Sequence, residues 1–174
     1  MYAFGEQPDQ ILGVNNPNGS TGNVGSVRVG YANGPVDIAV GWGQTTFAPS
    51  RQYVVTNIGA SWNFGVAKAL FLWNQEAADS TTNTTLRSNT YMLGATMPLG
   101  AGELKGSYSW GNSTNDGLDG YQLALGYVYN LSRRSALYAS YARVSNAGAA
   151  TFAVPGGASG MTPGGTSTGY EVGM

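Results

Sequence analysis

Glu103 and Glu171 are the two carboxylates that could be set as an acid–base pair of the glycosidase or protease kind. Nothing in the sequence fixes their separation, so they carry no hydrolase reading. The chain has no His and no Cys. That excludes Ser-His-Asp and Cys-His arrangements, Cys/His zinc sites and disulfide frameworks. The glycines within Gly156–Gly160 are not a phosphate loop, because no strand-to-helix context surrounds them and no Lys follows; they read as surface loop. No catalytic residue, cofactor or metal is expected, and the chain does not read as an enzyme. With 8 basic and 9 acidic residues the net charge is −1, which gives no field to hold a nucleic-acid backbone.

The elements that carry these residues are strands. Charged residues are 10% of the chain, where about 25% is usual, and Gly (27) and Tyr (11) are abundant. Mean hydropathy is −0.15. No window approaches the roughly 20 apolar residues of a spanning helix, and the start "MYAFGEQPDQ" is not a signal peptide. Instead, segments about ten residues long alternate with period two. In the first hairpin Val27, Val29 and Tyr31 oppose Ser26, Arg28 and Gly30. "NGP" at Asn33–Pro35 turns the chain, and Val36, Ile38, Val40 and Trp42 take up the apolar face. Leu104, Tyr108 and Trp110 oppose Glu103, Lys105, Ser107 and Ser109. Tyr121 to Tyr129 form an unbroken apolar face against Gln122, Ala124 and Gly126. The segment 66–76 is ambiguous: either Lys68, Leu70 and Leu72 all face inward, or all face outward, unless a bulge intervenes.

Compact turns ("NGP", "NFG", "PLGAG", "NLSRR") alternate with longer polar connections ("AADSTTNTT", "NSTNDGLD", residues 145–168), of which "TTFAPSR" is the weakest. Trp42, Trp62, Trp73, Trp110, Tyr129 and Tyr31 lie near segment ends. Both patterns are those of a membrane barrel with short turns on one side, longer loops on the other and aromatic rings at the boundaries. A soluble β-sandwich would use shorter strands, about 5–6 residues, and a more charged surface. These grounds favour an all-β fold, an antiparallel up-and-down transmembrane β-barrel in one domain, 1–174, with a soluble all-β domain as the alternative.

"YNLSRRSALYASYA", with "YMLGATMPLGAGELKGSYSW" before it and "STGYEVGM" after a Gly-rich loop, resembles the C-terminal end of Gram-negative general porins, particularly the β-proteobacterial type. The resemblance implies a sixteen-stranded barrel, a homotrimer, and a water-filled channel in the outer membrane, in contact with lipid and lipopolysaccharide and passing small hydrophilic solutes and ions. It implies eight complete strands between Val24 and Val144. It also implies the end of a preceding strand in "MYAFGE", an outer loop in "QPDQILGVNNPNGSTG", and the first half of the closing strand in "GYEVGM". A half barrel leaves its edges unpaired in hydrocarbon. So the sequence is expected either to be a piece of a longer chain or to close as eight strands around a filled interior. A small non-porous barrel or adhesin acting through its loops is the alternative function.

In a diffusion channel, selectivity comes from lining charges. Alternation points to Arg28, Asp37, Arg87, Glu103, Lys105 and Glu171 as pore-lining candidates. Arg28 and Lys105 are flanked by apolar residues that force them inward, whereas Arg87 lies close to a loop. Arg133 and Arg134 fall in a turn, and Arg143 falls on the face of Leu137 and Tyr141. The family's inward-folding constriction loop follows an early strand and would lie outside this sequence.

Overall fold

The computed structural model describes residues 1–3, 10–11, 14–15, 22–48, 51–79, 85–114, 117–157 and 162–174. The expected loop at 7–22 lies largely outside them, as do the centres of two other polar loops and residues 158–160 of the glycine run.

The strands are β1 (Tyr2–Ala3), β2 (Gln10–Ile11), β3 (Val14–Asn15), β4 (Val24–Asn33), β5 (Val36–Ala48) and β6 (Arg51–Asn63). Then follow β7 (Lys68–Asp79), β8 (Thr85–Leu99), β9 (Gly102–Ser113), β10 (Leu118–Asn130), β11 (Ala136–Gly148) and β12 (Thr166–Gly173). Ten of them make one sheet in the order β1-β4-β5-β6-β7-β8-β9-β10-β11-β12, and β2 and β3 pair separately. Every pairing is antiparallel between sequence neighbours in the sheet, the meander that hairpin turns impose.

The short turns use the residues their geometry demands. Gly34 sits at φ +56 in the first central position between Asn33 and Val36, as a type II′ hairpin turn requires. Gly65 takes φ +87 and donates its N–H to Asn63 Oδ1 at 2.8 Å. On the other side the connection "TTFAPSR" is shorter than expected. β5 and β6 run through it to Ala48 and Arg51, with a register irregularity between Thr46 and Ala48. The last long connection is also shorter than 145–168, because Ser145–Gly148 extend β11 alongside Leu118–Tyr121 and Thr166 already pairs with Ser145.

Register sorts the side chains into two faces. One row runs Arg28, Gly41, Asn57, Asn74, Thr90, Gly111, Gly120, Asn146 from β4 to β11. The row beside it, on the opposite face, runs Val29, Val40, Ile58, Trp73, Tyr91, Trp110, Tyr121, Ser145. A one-residue slip would exchange the two faces, so register is strongly specified.

The apolar face is not covered. Val29 is 70% exposed, Leu93 51% and Leu125 49%. Among the described residues the buried apolar side chains are Val144, Ala150 and Val154, and all three belong to the β11–β12 region. A soluble domain would hide its apolar face in a core; here it is the outer surface. Rings stack along it, Tyr91 on Trp110 at 5.2 Å and Tyr108 against Trp110 at 5.9 Å. The row Trp73–Tyr91–Trp110–Tyr121 lies inside the strands and not at their ends. Beyond it the same face turns polar, with Gln75, Asn89, Asn112 and Asp119. Gln75 donates to Asn89 Oδ1 at 2.9 Å there. From Tyr121 to Tyr129 the strand covers about 26 Å, or roughly 20 Å of height at a 40° tilt, close to the ~25 Å apolar band of an outer-membrane barrel.

Close packing across strands makes some glycines obligatory. A Cβ on Gly102, which is buried, would collide with the Val128 carbonyl oxygen and lie 2.7 Å from the Tyr127 hydroxyl. That hydroxyl donates to the Leu99 carbonyl at 3.0 Å, so the ring cannot simply leave. Gly102→Val is therefore expected to lower stability by about 1–3 kcal/mol, read as an earlier denaturant midpoint.

Candidate functional site

The polar face carries charges of both signs in its strands. Asn63, Lys68, Thr96, Lys105, Gly126, Ser140 and Glu171 form a single register row from β6 to β12. The uninterrupted pairing of β6, β7 and β8 resolves the ambiguous segment without a bulge. Lys68, Leu70 and Leu72 share the polar face, while Ala69, Phe71 and Trp73 share the apolar one. Asp37 stands one row away from Lys68 on the loop side, and Glu103 one row away from Lys105 on the turn side. Lys105 Nζ lies 3.0 Å from Glu103 Oε2, and both side chains are about half exposed, at 51% and 40%. Such a pair contributes little to stability and leaves two ammonium hydrogens for other partners. Two strands on, in β11, Tyr138 donates its hydroxyl to Glu171 Oε1 of β12 at 2.9 Å.

Of the six candidates, the structure brings Asp37, Glu103, Lys105 and Glu171 into three adjacent rows. Arg28 is on the same face but further toward the loops. Arg87 is corrected. It pairs with Ala77 and follows the parity of Tyr91 and Leu93, opposite Ser88 and Thr90. It escapes the apolar band because it lies beyond the aromatic row, where that face is already polar. Arg143 also stands on the outer face, two residues to the loop side of Tyr141, whose ring packs on Tyr170 at 5.1 Å. Glu76 was not singled out, since its facing depends on Lys68. It lies on the polar face and accepts from Asn74 Nδ2 at 3.0 Å.

Sequence reasoning also missed the described part of the β11–β12 connection, which folds back onto the polar face. Asn146, at the end of that face on β11, holds it with three side-chain hydrogen bonds. Its Nδ2 donates to the Phe152 carbonyl at 2.9 Å and the Gly165 carbonyl at 2.8 Å, and its Oδ1 accepts from the Phe152 N–H at 2.8 Å. Val154 N–H donates to Ser167 Oγ at 3.2 Å. Phe152 covers Gly120, where a Cβ would come within 2.9 Å of the ring, and Val154 covers Gly169 at the same distance. Phe152–Pro155 thus form a ledge across the wall. On its turn side is a cavity of about 430 Å³, lined by Thr96, Lys105, Ser107, Glu171, Val154 and Pro155 among others. On its loop side is a second, lined by Thr90, Ser109, Phe152 and Ala153 among others. A cavity that takes residues from six adjacent strands lies on the concave side of the sheet, so the polar face is the inner one.

A profile of the Gram-negative porin family matches residues 1–149. The chain belongs to the Gram-negative porins. That membership places it in the bacterial outer membrane. It is 35% identical to outer membrane porin protein 32 of Delftia acidovorans over 182 aligned residues, covering 99% of this chain and 50% of the relative. The anion-selective porin from Comamonas acidovorans superposes with a TM-score of 0.84 at 33% identity, over 98% of this chain and 52% of that one. OmpT of Vibrio cholerae shares the fold at a TM-score of 0.63 and 17% identity, over 71% of this chain and 45% of that one. The sequence therefore spans about half the length of the porins it matches.

Proposed function

We propose that this porin segment forms part of the wall of a water-filled channel for passive diffusion of small hydrophilic solutes and ions. The observation that supports this best is the pairing of a concave face carrying Arg28, Asp37, Lys68, Glu103, Lys105 and Glu171 with an exposed apolar face ringed by aromatics. The arrangement does transport without bond chemistry. The wall charges act on the solute through the field they set up. The complete barrel of sixteen strands, assembled as three copies and bedded in lipid and lipopolysaccharide, is the setting the family resemblance supplies.

The test is current through planar bilayers with the intact protein. Stepwise openings with a linear current–voltage relation are expected. A heat-modifiable protein that inserts without conductance would favour the non-porous barrel or adhesin instead. An SDS-resistant species that falls to monomer on boiling is expected for the trimer.

Lys105→Glu provides a further check, because it converts the middle of the charged row from cationic to anionic. The zero-current potential in a salt gradient is expected to move toward cation preference. An unchanged potential would remove Lys105 from the ion path.

A further inference from the structure

We propose that the cavity under the ledge is a subsite for zwitterionic solutes with an apolar side chain, such as a free aliphatic amino acid; this rests on the channel reading above. Three features converge on it. First, the rim on the turn side carries opposite charges at its two ends. Lys105, Gly126, Ser140 and Glu171 are direct partners across β9 to β12, so the two charged Cα positions lie three strand spacings apart, about 14 Å. A lysine and a glutamate side chain are long enough to reach inward from both ends of that gap and meet the two charged groups of one small molecule. Second, both charges are held. Glu103 anchors Lys105 at 3.0 Å and Tyr138 donates to Glu171 at 2.9 Å, and neither contact exhausts the group's hydrogen-bonding capacity. Third, the rim on the loop side is largely apolar, with Gln122 its polar member. Val154 and Pro155 of the ledge face the charged row across the floor of the cavity, with Leu70 and Met92 beside it.

A zwitterion can lie along the row with its carboxylate toward Lys105 and its ammonium toward Glu171. Its side chain then points at the ledge. A simple anion or cation satisfies one end and leaves the other unpaired, while a glycine zwitterion leaves the ledge bare. The subsite would hold its solute weakly, since a channel site must also release it.

The experiment is uptake of L-leucine and of glycine into proteoliposomes containing the intact protein. Size alone predicts faster glycine entry. The subsite predicts the reverse, with leucine entering faster and the preference lost when either terminus is blocked, as leucinamide or N-acetyl-leucine. In Glu171→Gln and in Lys105→Gln the order is expected to return to glycine before leucine. Faster glycine than leucine in the wild type would overturn the subsite and leave the channel standing. So would leucine preference unchanged in both variants. No uptake of either solute above protein-free vesicles would overturn the channel reading together with the subsite.

Discussion

Leu125→Arg is expected to destabilise the inserted protein by about 2–4 kcal/mol, seen as an earlier urea midpoint in vesicles and a smaller heat-modifiable fraction. Leu125 stands midway between Tyr121 and Tyr129 on the apolar face of β10, 49% exposed, and its Cδ2 lies over Gly106. An arginine there must either hold its charge in hydrocarbon or bend toward the interface and give up packing on β9. Ser61→Arg provides the contrast. Ser61 is on the polar face beside Asp37, its direct partner. A new cation there meets water and a carboxylate, so a change within about 0.5 kcal/mol is expected. If the two variants cost the same, the assignment of faces is wrong.

Asn146→Leu is expected to widen the channel without unfolding it. The leucine removes three hydrogen bonds that hold Phe152 and Gly165. At about 1 kcal/mol each, their loss removes some 3 kcal/mol of preference for the folded-back connection. The freed backbone groups can be rehydrated by lumen water, so the ledge is expected to leave the wall and not to sit there unsatisfied. The pairing of β10 with β11 continues on both sides of position 146 and keeps the strand in place. Larger single-channel conductance is the expected result, with the denaturant midpoint lowered by no more than those hydrogen bonds contribute, about 3 kcal/mol. Unchanged conductance would mean that the ledge does not narrow the path.

Much of this arrangement was legible in the sequence wherever polarity alone alternates. Over residues 27–31 of β4 and 121–129 of β10 every second residue is a large apolar or aromatic one, and the two faces follow directly. Arg28 next to Val29 is enough to assign both rows. Reading failed where a face changes solvent along a strand. Arg87, Asn89, Tyr91 and Leu93 share one side of β8, yet the first two lie beyond the aromatic row, Tyr91 belongs to it and Leu93 lies below it. Alternation keeps its period there while the polarity of the outer face switches, and a rule that equates charge with lumen misplaces Arg87. Lys68 was ambiguous for the converse reason. Leu70 and Leu72 are apolar residues on the inner face, so parity could be settled only by pairing with β6 and β8. The ledge had no local signal. Ala, Val, Pro and Gly between two strands read as loop. Its place depends on an Asn two residues from the end of β11 and a Ser in β12, brought together by pairing.

Ser107 and Tyr108 are adjacent in β9 and face water and lipid respectively, and the channel reading stands on that placement. These 174 residues contain no cysteine, so single substitutions are made in the intact protein with any cysteine elsewhere replaced. In planar bilayers, a membrane-impermeant charged thiol reagent should cut the current through Ser107→Cys and leave Tyr108→Cys untouched. Reaction and block at position 108 with an inert position 107 would contradict it.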